Sequence, residues 1–283
     1  MRAPDLHRAK LIAMVNEKAG PRSARLLPFI KSLHYHETEL ASGLERIVPN
    51  GQAHLMVNLA ENEFRSYDRV RPALVTRHGA AVLAGPHAQS VILDTQFQCR
   101  LAAIEFRAGG AGHFLGMPAC EASNQIVSLD GVWRSDGAAL RERLLDARSP
   151  QERFAVLEET LIAHFDEGFD PAVAWAIKAL ERGMRVAEVA SRLGLLPRTL
   201  ERRFNARVGL TPKRFARVRR LQRAMRTIRS SAGAFDWSVL AAEHGYFDQS
   251  HLVHEFRELA DLTPAQYKPH SPARNNHVPL AAR

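Results

Sequence analysis

Leu240-Ala241-Ala242-Glu243-His244-Gly245, followed by Leu252, Phe256, Leu262-Thr263-Pro264 and Tyr267, is the second copy of an earlier pattern. The first copy reads Val189-Ala190-Ser191-Arg192-Leu193-Gly194, then Leu200, Phe204, Leu210-Thr211-Pro212 and Phe215. The glycines lie 51 residues apart and the later landmarks 52, so one residue has been added between Gly245 and Leu252. An apolar residue beside alanine lets a second helix cross the first closely, and a glycine in the left-handed conformation ends that first helix. Leucine and phenylalanine four residues apart bury one face of the next helix. Each Thr-Pro pair supplies an N-cap and a first-turn proline, the signal that restarts a helix. The pattern predicts helix, glycine turn, helix, twice over.

Outward from this repeat, charge divides the chain. Residues 170–283 hold 20 Lys and Arg against 10 Asp and Glu, a net of +10, while the other 19 and 20 leave residues 1–169 at −1. The basic excess sits with the repeats, which points to a polyanionic partner for one half of the molecule. Between the copies, a helix is expected from Thr211 to about Arg229. Val218, Leu221, Met225 and Ile228 form its apolar stripe, and Lys213, Arg214, Arg217, Arg220 and Arg223 its basic face. Gly168 and Asp170-Pro171 mark where the helical half begins.

Upstream, short apolar pieces alternate with turn residues: Leu44 to Val48, His54 to Ala60, Ala80 to Ala84, Ser90 to Leu93 and Arg100 to Phe106. Pro49-Asn50-Gly51 and Gly85-Pro86 are the strongest turn signals, and the spacing is that of a small β barrel or sandwich. Ser149-Pro150-Gln151-Glu152 opens a helix to about Asp166 whose stripe, Phe154, Leu157, Leu161, Ile162 and Phe165, faces either the domain core or a second copy. Residues 1–28, with a weak helical pattern at Leu6, Leu11, Met14 and Val15, read as an extension. The expected fold is therefore α+β in two domains. A small β-barrel or sandwich-like domain with trailing helices (29–168) precedes an all-α domain with two helix-turn-helix units joined by a long helix (169–270). A flexible tail (271–283) follows.

Residues 170–270 resemble the DNA-binding domain of the AraC/XylS family of bacterial transcription regulators. The run Ala241 to Gly245-Tyr246, then Ser250, Leu252, Phe256 and Leu262-Thr263-Pro264 to Tyr267 carries the match. More loosely, Arg46 to Gly51, Leu55 to Leu59, Gly85-Pro86 and Phe106 to Phe114-Leu115-Gly116 resemble a sensor-like N-terminal domain of some of these regulators. The resemblance implies that Arg198, Glu201 and Arg202 in the first unit, and Gln249, Ser250 and His254 in the second, face base edges in the major groove. Phosphate contacts are expected at Thr199, Arg203, Arg214, Arg217, Arg223, His251 and Arg257. His254 stands where many relatives carry arginine, and imidazole lacks the charge and fork of guanidinium. Partners implied are double-stranded DNA, a small-molecule effector, RNA polymerase and a second copy in a homodimer. No cofactor, metal or catalytic role is expected.

Rival readings are an architectural nucleoid-type protein, a metal site built from His244, His251 and His254 or from His34, His36, His54, His78 and His87, and an acid–base pair of Glu105 with His113. No phosphate loop, dinucleotide fingerprint or Gly-x-Ser-x-Gly motif is present. No apolar run reaches the ~18–20 residues that span a bilayer, and no secretory leader is evident. With Cys99 and Cys120 far apart, a cytoplasmic location is expected.

Overall fold

The computed structural model describes residues 15–38, 43–69, 71, 73–230, 236–271 and 274–280. Its N-terminal half holds two antiparallel sheets. The first runs β1 (Val15–Ala19), β2 (Ile30–Glu37), β9 (Arg100–Phe106), β4 (His54–Asn58), β7 (Ala81–Ala84) and β10 (Ile126–Ser128) across its width. The second runs β11 (His277–Pro279), β3 (Leu44–Ile47), β8 (Val91–Asp94), β5 (Glu63–Tyr67) and β6 (Val75–Gly79).

Alternation explains why these pieces are strands. On β2, β4 and β9 one face carries Leu33, Tyr35, Leu55, Val57, Ala102, Ile104 and Phe106, all in the largest core cluster. The helices α1 (Leu129–Trp133), α2 (Asp136–Asp146) and α3 (Pro150–Ala163) supply Trp133, Leu140, Leu144, Leu157 and Leu161 to that cluster. The α3 stripe therefore faces its own domain's core. Phe154, Leu157 and Leu161 are buried, so a dimer seam built from them is replaced by intradomain packing. Ser149 caps α3 by accepting from the Glu152 amide at 3.2 Å, as its sequence signature requires.

The other face of the same strands mixes polar groups with Met56, Leu101 and Ala103. Ser32 Oγ donates to Glu105 at 3.1 Å and lies 2.7 Å from His34 Nε2, while Lys31 pairs with Glu105 at 2.7 Å. His54 stands opposite Glu105 in the β4–β9 register. Burial pushes the His54 imidazole down to about 4, although the Glu105 charge pulls the other way. His54 is thus neutral at pH 7, and its folded pKa lies below that of the unfolded chain. The stability it contributes is full above pH 6.5 and is lost as pH falls towards 4. Urea melts at pH 7 and 4.5 should show the His54→Gln variant losing about 1–3 kcal/mol less than the parent on acidification. Equal losses would mean that His54 titrates normally.

Two sequence expectations change here. Val15–Ala19 belongs to a strand, not a helix, and pairs residue by residue with β2; residues 1–14 lie outside the described residues. A five-residue edge strand with only its end residues partly inward leaves too short an alternation to read. The tail expected to be flexible contains β11, which pairs antiparallel with β3. The buried Glu45 of β3 accepts from Arg274 at 2.7 Å and contacts His277 Nδ1 at 2.6 Å, so charge as well as backbone pairing holds the tail.

The C-terminal half is α4 (Pro171–Glu181), α5 (Val186–Arg192), α6 (Pro197–Val208), α7 (Pro212–Ser230), α8 (Trp237–Glu243) and α9 (Gln249–Ala260). Asp170 caps α4 through the amides of Ala172 and Val173, both at 3.1 Å. The domains pack together directly. Asp261, left-handed at the end of α9, pairs with Arg46 at 2.7 Å and Arg69 at 2.8 Å and accepts from Ser90 Oγ at 2.5 Å. Val48 enters the core of the second unit, and the Phe215 ring of α7 lies against Gly51, whose positive φ of 73° lets the chain turn there without a side chain. No helix among the described residues is long and apolar enough to cross a membrane.

Candidate nucleic-acid interface

The first unit is α5, a turn and α6. Val189 and Ala190 of α5 and Leu200 and Phe204 of α6 are buried in one cluster with Val173, Leu180, Phe215 and Val218. Gly194 takes φ of 62° in the turn. The second unit, α8 and α9, repeats this arrangement with Leu240, Ala241, Leu252 and Phe256, and with Gly245 at φ of 72°. Asp248 caps α9 by accepting from the His251 amide at 2.7 Å. The Thr-Pro pairs diverge. Thr211 opens the 19-residue α7, whereas Thr263 forms a capping box with Gln266 around a single tight turn, Pro264–Gln266. After Gln266 the chain leaves to join β11.

With Leu200 and Phe204 inward, Arg198, Glu201 and Arg202 are exposed on the opposite face of α6, and Thr199 is half-buried. Gln249, Ser250 and His254 are exposed on α9, with His254 Nε2 3.9 Å from Glu258. Among the described residues the Arg198, Arg202, Arg214 and Arg257 guanidinium groups have no hydrogen-bond or ion-pair partner, so four cations on or beside the reading helices are available to an anion.

Other expected phosphate ligands are occupied within the fold. Arg203 forks onto Asp170 at 2.9 and 2.7 Å, tying α6 to the start of α4. Its hydrogen bonds outweigh burial and hold the Asp170 carboxyl below the usual carboxylate range. Arg223 donates to the Glu181 carbonyl at 3.0 Å. His251 accepts the Phe247 amide on Nδ1 at 3.1 Å. Arg217 reaches Glu255 at 2.6 Å and Glu258 at 3.0 Å. Arg220 donates to Glu255 at 2.8 Å and to the Gly245 carbonyl at 2.9 Å, and its guanidinium lies over the Tyr246 ring at 4.5 Å.

Glu255 is the residue that sequence reasoning missed. It is 2% exposed and bridges α9 to two arginines of α7. Its signal was present, as the single charge in the apolar series Leu252, Glu255, Phe256 and Leu259. A charge on the buried face of a helix needs a partner, and the facing helix is rich in arginine. Much of the basic face of α7 therefore joins the two units to each other.

The histidines are also engaged locally. His244 Nε2 lies 2.9 Å from Thr227 Oγ1, His78 Nε2 2.8 Å from Ser66 Oγ, and His87 Nδ1 2.6 Å from the Gly85 carbonyl. Among the described residues no three His, Cys, Asp or Glu side chains converge as metal ligands. Glu105 and His113 share no hydrogen bond or ion pair; His113 Nδ1 lies 3.1 Å from the Asp166 carbonyl.

Comparison with known proteins agrees with this division. Residues 189–270 match the family model described as a helix-turn-helix domain (HTH_18), and residues 21–128 match one described as a domain of unknown function (DUF6597). Among curated proteins none matches the sequence. Among solved structures, ToxT from Vibrio cholerae is similar at 12% identity, covering 84% of this chain and 98% of that one with a TM-score of 0.43. ToxT from strain SCE256, described as bound to an unsaturated fatty acid, gives 9% identity over 84% of this chain and 95% of that one, with a TM-score of 0.45. The xylose-binding transcription activator XylR gives 20% identity over 51% of this chain and 40% of that one, with a TM-score of 0.29.

Proposed function

We propose that this chain is a DNA-binding transcription regulator of the AraC type, in which α6 and α9, within the segment that matches a helix-turn-helix domain, read successive major grooves on one side of a duplex. The observation that carries this reading is the tandem exposure of unpaired Arg198 and Arg202 on α6 and of Gln249 and Ser250 on α9, with α7 between. At ~1.5 Å per residue α7 is about 28 Å long, close to the ~34 Å of one DNA turn. Arginine forks onto guanine O6 and N7, and Glu201 accepts from cytosine N4. The α9 face carries no unpaired arginine in its first two turns, so α6 supplies more of the base preference and of the phosphate attraction.

Arg202→Ala should weaken binding to the preferred duplex by about 1–3 kcal/mol and relax one base position, with folding unaffected because the side chain is exposed. Arg214→Ala should instead lower the salt slope of binding by about one unit at unchanged preference. An unaltered sequence preference in Arg202→Ala would remove α6 from the reading role. A protein binding random and selected duplexes alike would be architectural.

The β domain supplies regulation in this reading, as the sensor of a small molecule. A cleft of about 250 Å³ lies where the domains meet, between Ala88, Asn124, Arg214, Arg217 and Glu258. A molecule seated there touches both domains and favours the arrangement of units that accommodates it. Metabolites that raise the melting temperature and change operator affinity together would identify it.

A further inference from the structure

The two most exposed large apolar side chains among the described residues are Phe247, 91% exposed, and Leu196, 74% exposed. They occupy the same place after the turn, two residues beyond Gly245 and Gly194; Leu196 directly precedes α6, and Asp248 alone stands between Phe247 and α9. Their neighbours point inward: Tyr246 is buried and Leu195 packs against the first unit's core. The turns are firmly built. The Tyr246 amide donates to the Ala241 carbonyl at 2.9 Å and the Leu195 amide to the Ala190 carbonyl at 3.0 Å. Arg220 holds the Gly245 carbonyl at 2.9 Å, and His251 Nδ1 holds the Phe247 amide at 3.1 Å. Phe247 is therefore displayed by a fixed backbone, at the end of the reading helix that enters a groove first.

We propose that Phe247, with Leu196 as its counterpart in the first unit, recognises the C5-methyl group of thymine in the major groove. This rests on the DNA-reading function proposed above. The base edges of the major groove offer hydrogen-bond donors and acceptors except at that methyl, the one apolar group they present. A phenyl or isobutyl group makes no hydrogen bond, so its gain on entering the groove comes from covering that methyl. The weakly charged second unit obtains base preference in this way without an arginine at His254. The first unit combines its methyl contact with the Arg198 and Arg202 forks.

The test uses the full chain and the duplex it enriches from a random library. Each thymine of that duplex is replaced in turn by deoxyuridine, which removes only the methyl. For the parent, one or two replacements at the α9 half-site should weaken binding by about 3- to 10-fold. Phe247→Ala should bind the thymine duplex weaker by a similar factor and be indifferent to those same replacements, with its melting temperature unchanged. Phe247→Leu should restore part of the affinity, and Leu196→Ala should show the same pairing at the α6 half-site. Parent binding that is insensitive to every deoxyuridine, or a Phe247→Ala variant as tight as the parent, overturns the proposal. Loss of self-association in that variant at unchanged DNA affinity also overturns it, by assigning Phe247 to a protein contact. Failure of the parent to enrich any duplex removes the DNA-reading function itself, a result distinct from the others.

Discussion

Glu255→Ala should lower the unfolding free energy of the C-terminal domain by about 2–4 kcal/mol. The Glu255 side chain is 3% exposed and bonded to Arg217 and Arg220, whose side chains are only 27% and 22% exposed themselves. Removing it leaves two partly buried guanidinium groups short of a partner, and their desolvation then goes uncompensated. The loss stays below that of a fully buried pair because Arg217 keeps Glu258 and Arg220 keeps the Gly245 carbonyl. Glu255→Gln retains an acceptor and the side-chain shape, so about half the effect should return. Urea unfolding at pH 7 measures both variants, and a loss under ~0.5 kcal/mol would show that apolar packing alone holds α9 on α7. The same variant should lose affinity mainly for duplexes long enough to engage both units. The bridge fixes one reading helix relative to the other and is not expected to touch DNA.

Phe204→Ala should cost more, about 3–5 kcal/mol. The ring is fully buried, meets Phe215 edge-on with centroids 5.4 Å apart, and packs among Val173, Leu180, Val189 and Leu200. Truncation leaves a cavity where α4, α5, α6 and α7 meet, and four anchored helices collapse poorly into it. Phe215 also touches Gly51 of the β domain, so the loss should reach the domain interface. Phe204→Leu keeps most of the volume and should cost under ~1.5 kcal/mol. Hydrogen exchange should quicken around Gly51 in the alanine variant, and protection unchanged there would show that the interface does not depend on this core.

Legibility differed by element. The five strands expected between Leu44 and Phe106 are present, because each is a short apolar run in a stretch punctuated by turn residues. Strands β1, β2, β5, β6, β10 and β11 passed unread. Several of them carry few large apolar residues, and their pairing is a property of the neighbouring strand. The helices from α3 onward were legible through helix-start signals, glycine turns and three- and four-residue periods. The arginines show the limit within the site. Arg202 and Arg203 are adjacent and chemically identical, yet one faces solvent and the other forks onto Asp170, 33 residues away in sequence. No local pattern distinguishes them.

By itself the sequence determined that this chain carries two helix-turn-helix units in register, with the basic excess beside them. Glycine turns, helix caps and i, i+4 apolar pairs are local devices, and repetition multiplies their weight. Only the tertiary structure decided which charges are free. Arg217, Arg220 and Arg223 are spent on α9 and α4, and the tail becomes a strand through Glu45. An ion pair forms wherever packing brings opposite charges within a few ångströms, and that proximity is set by the crossing of distant helices and strands.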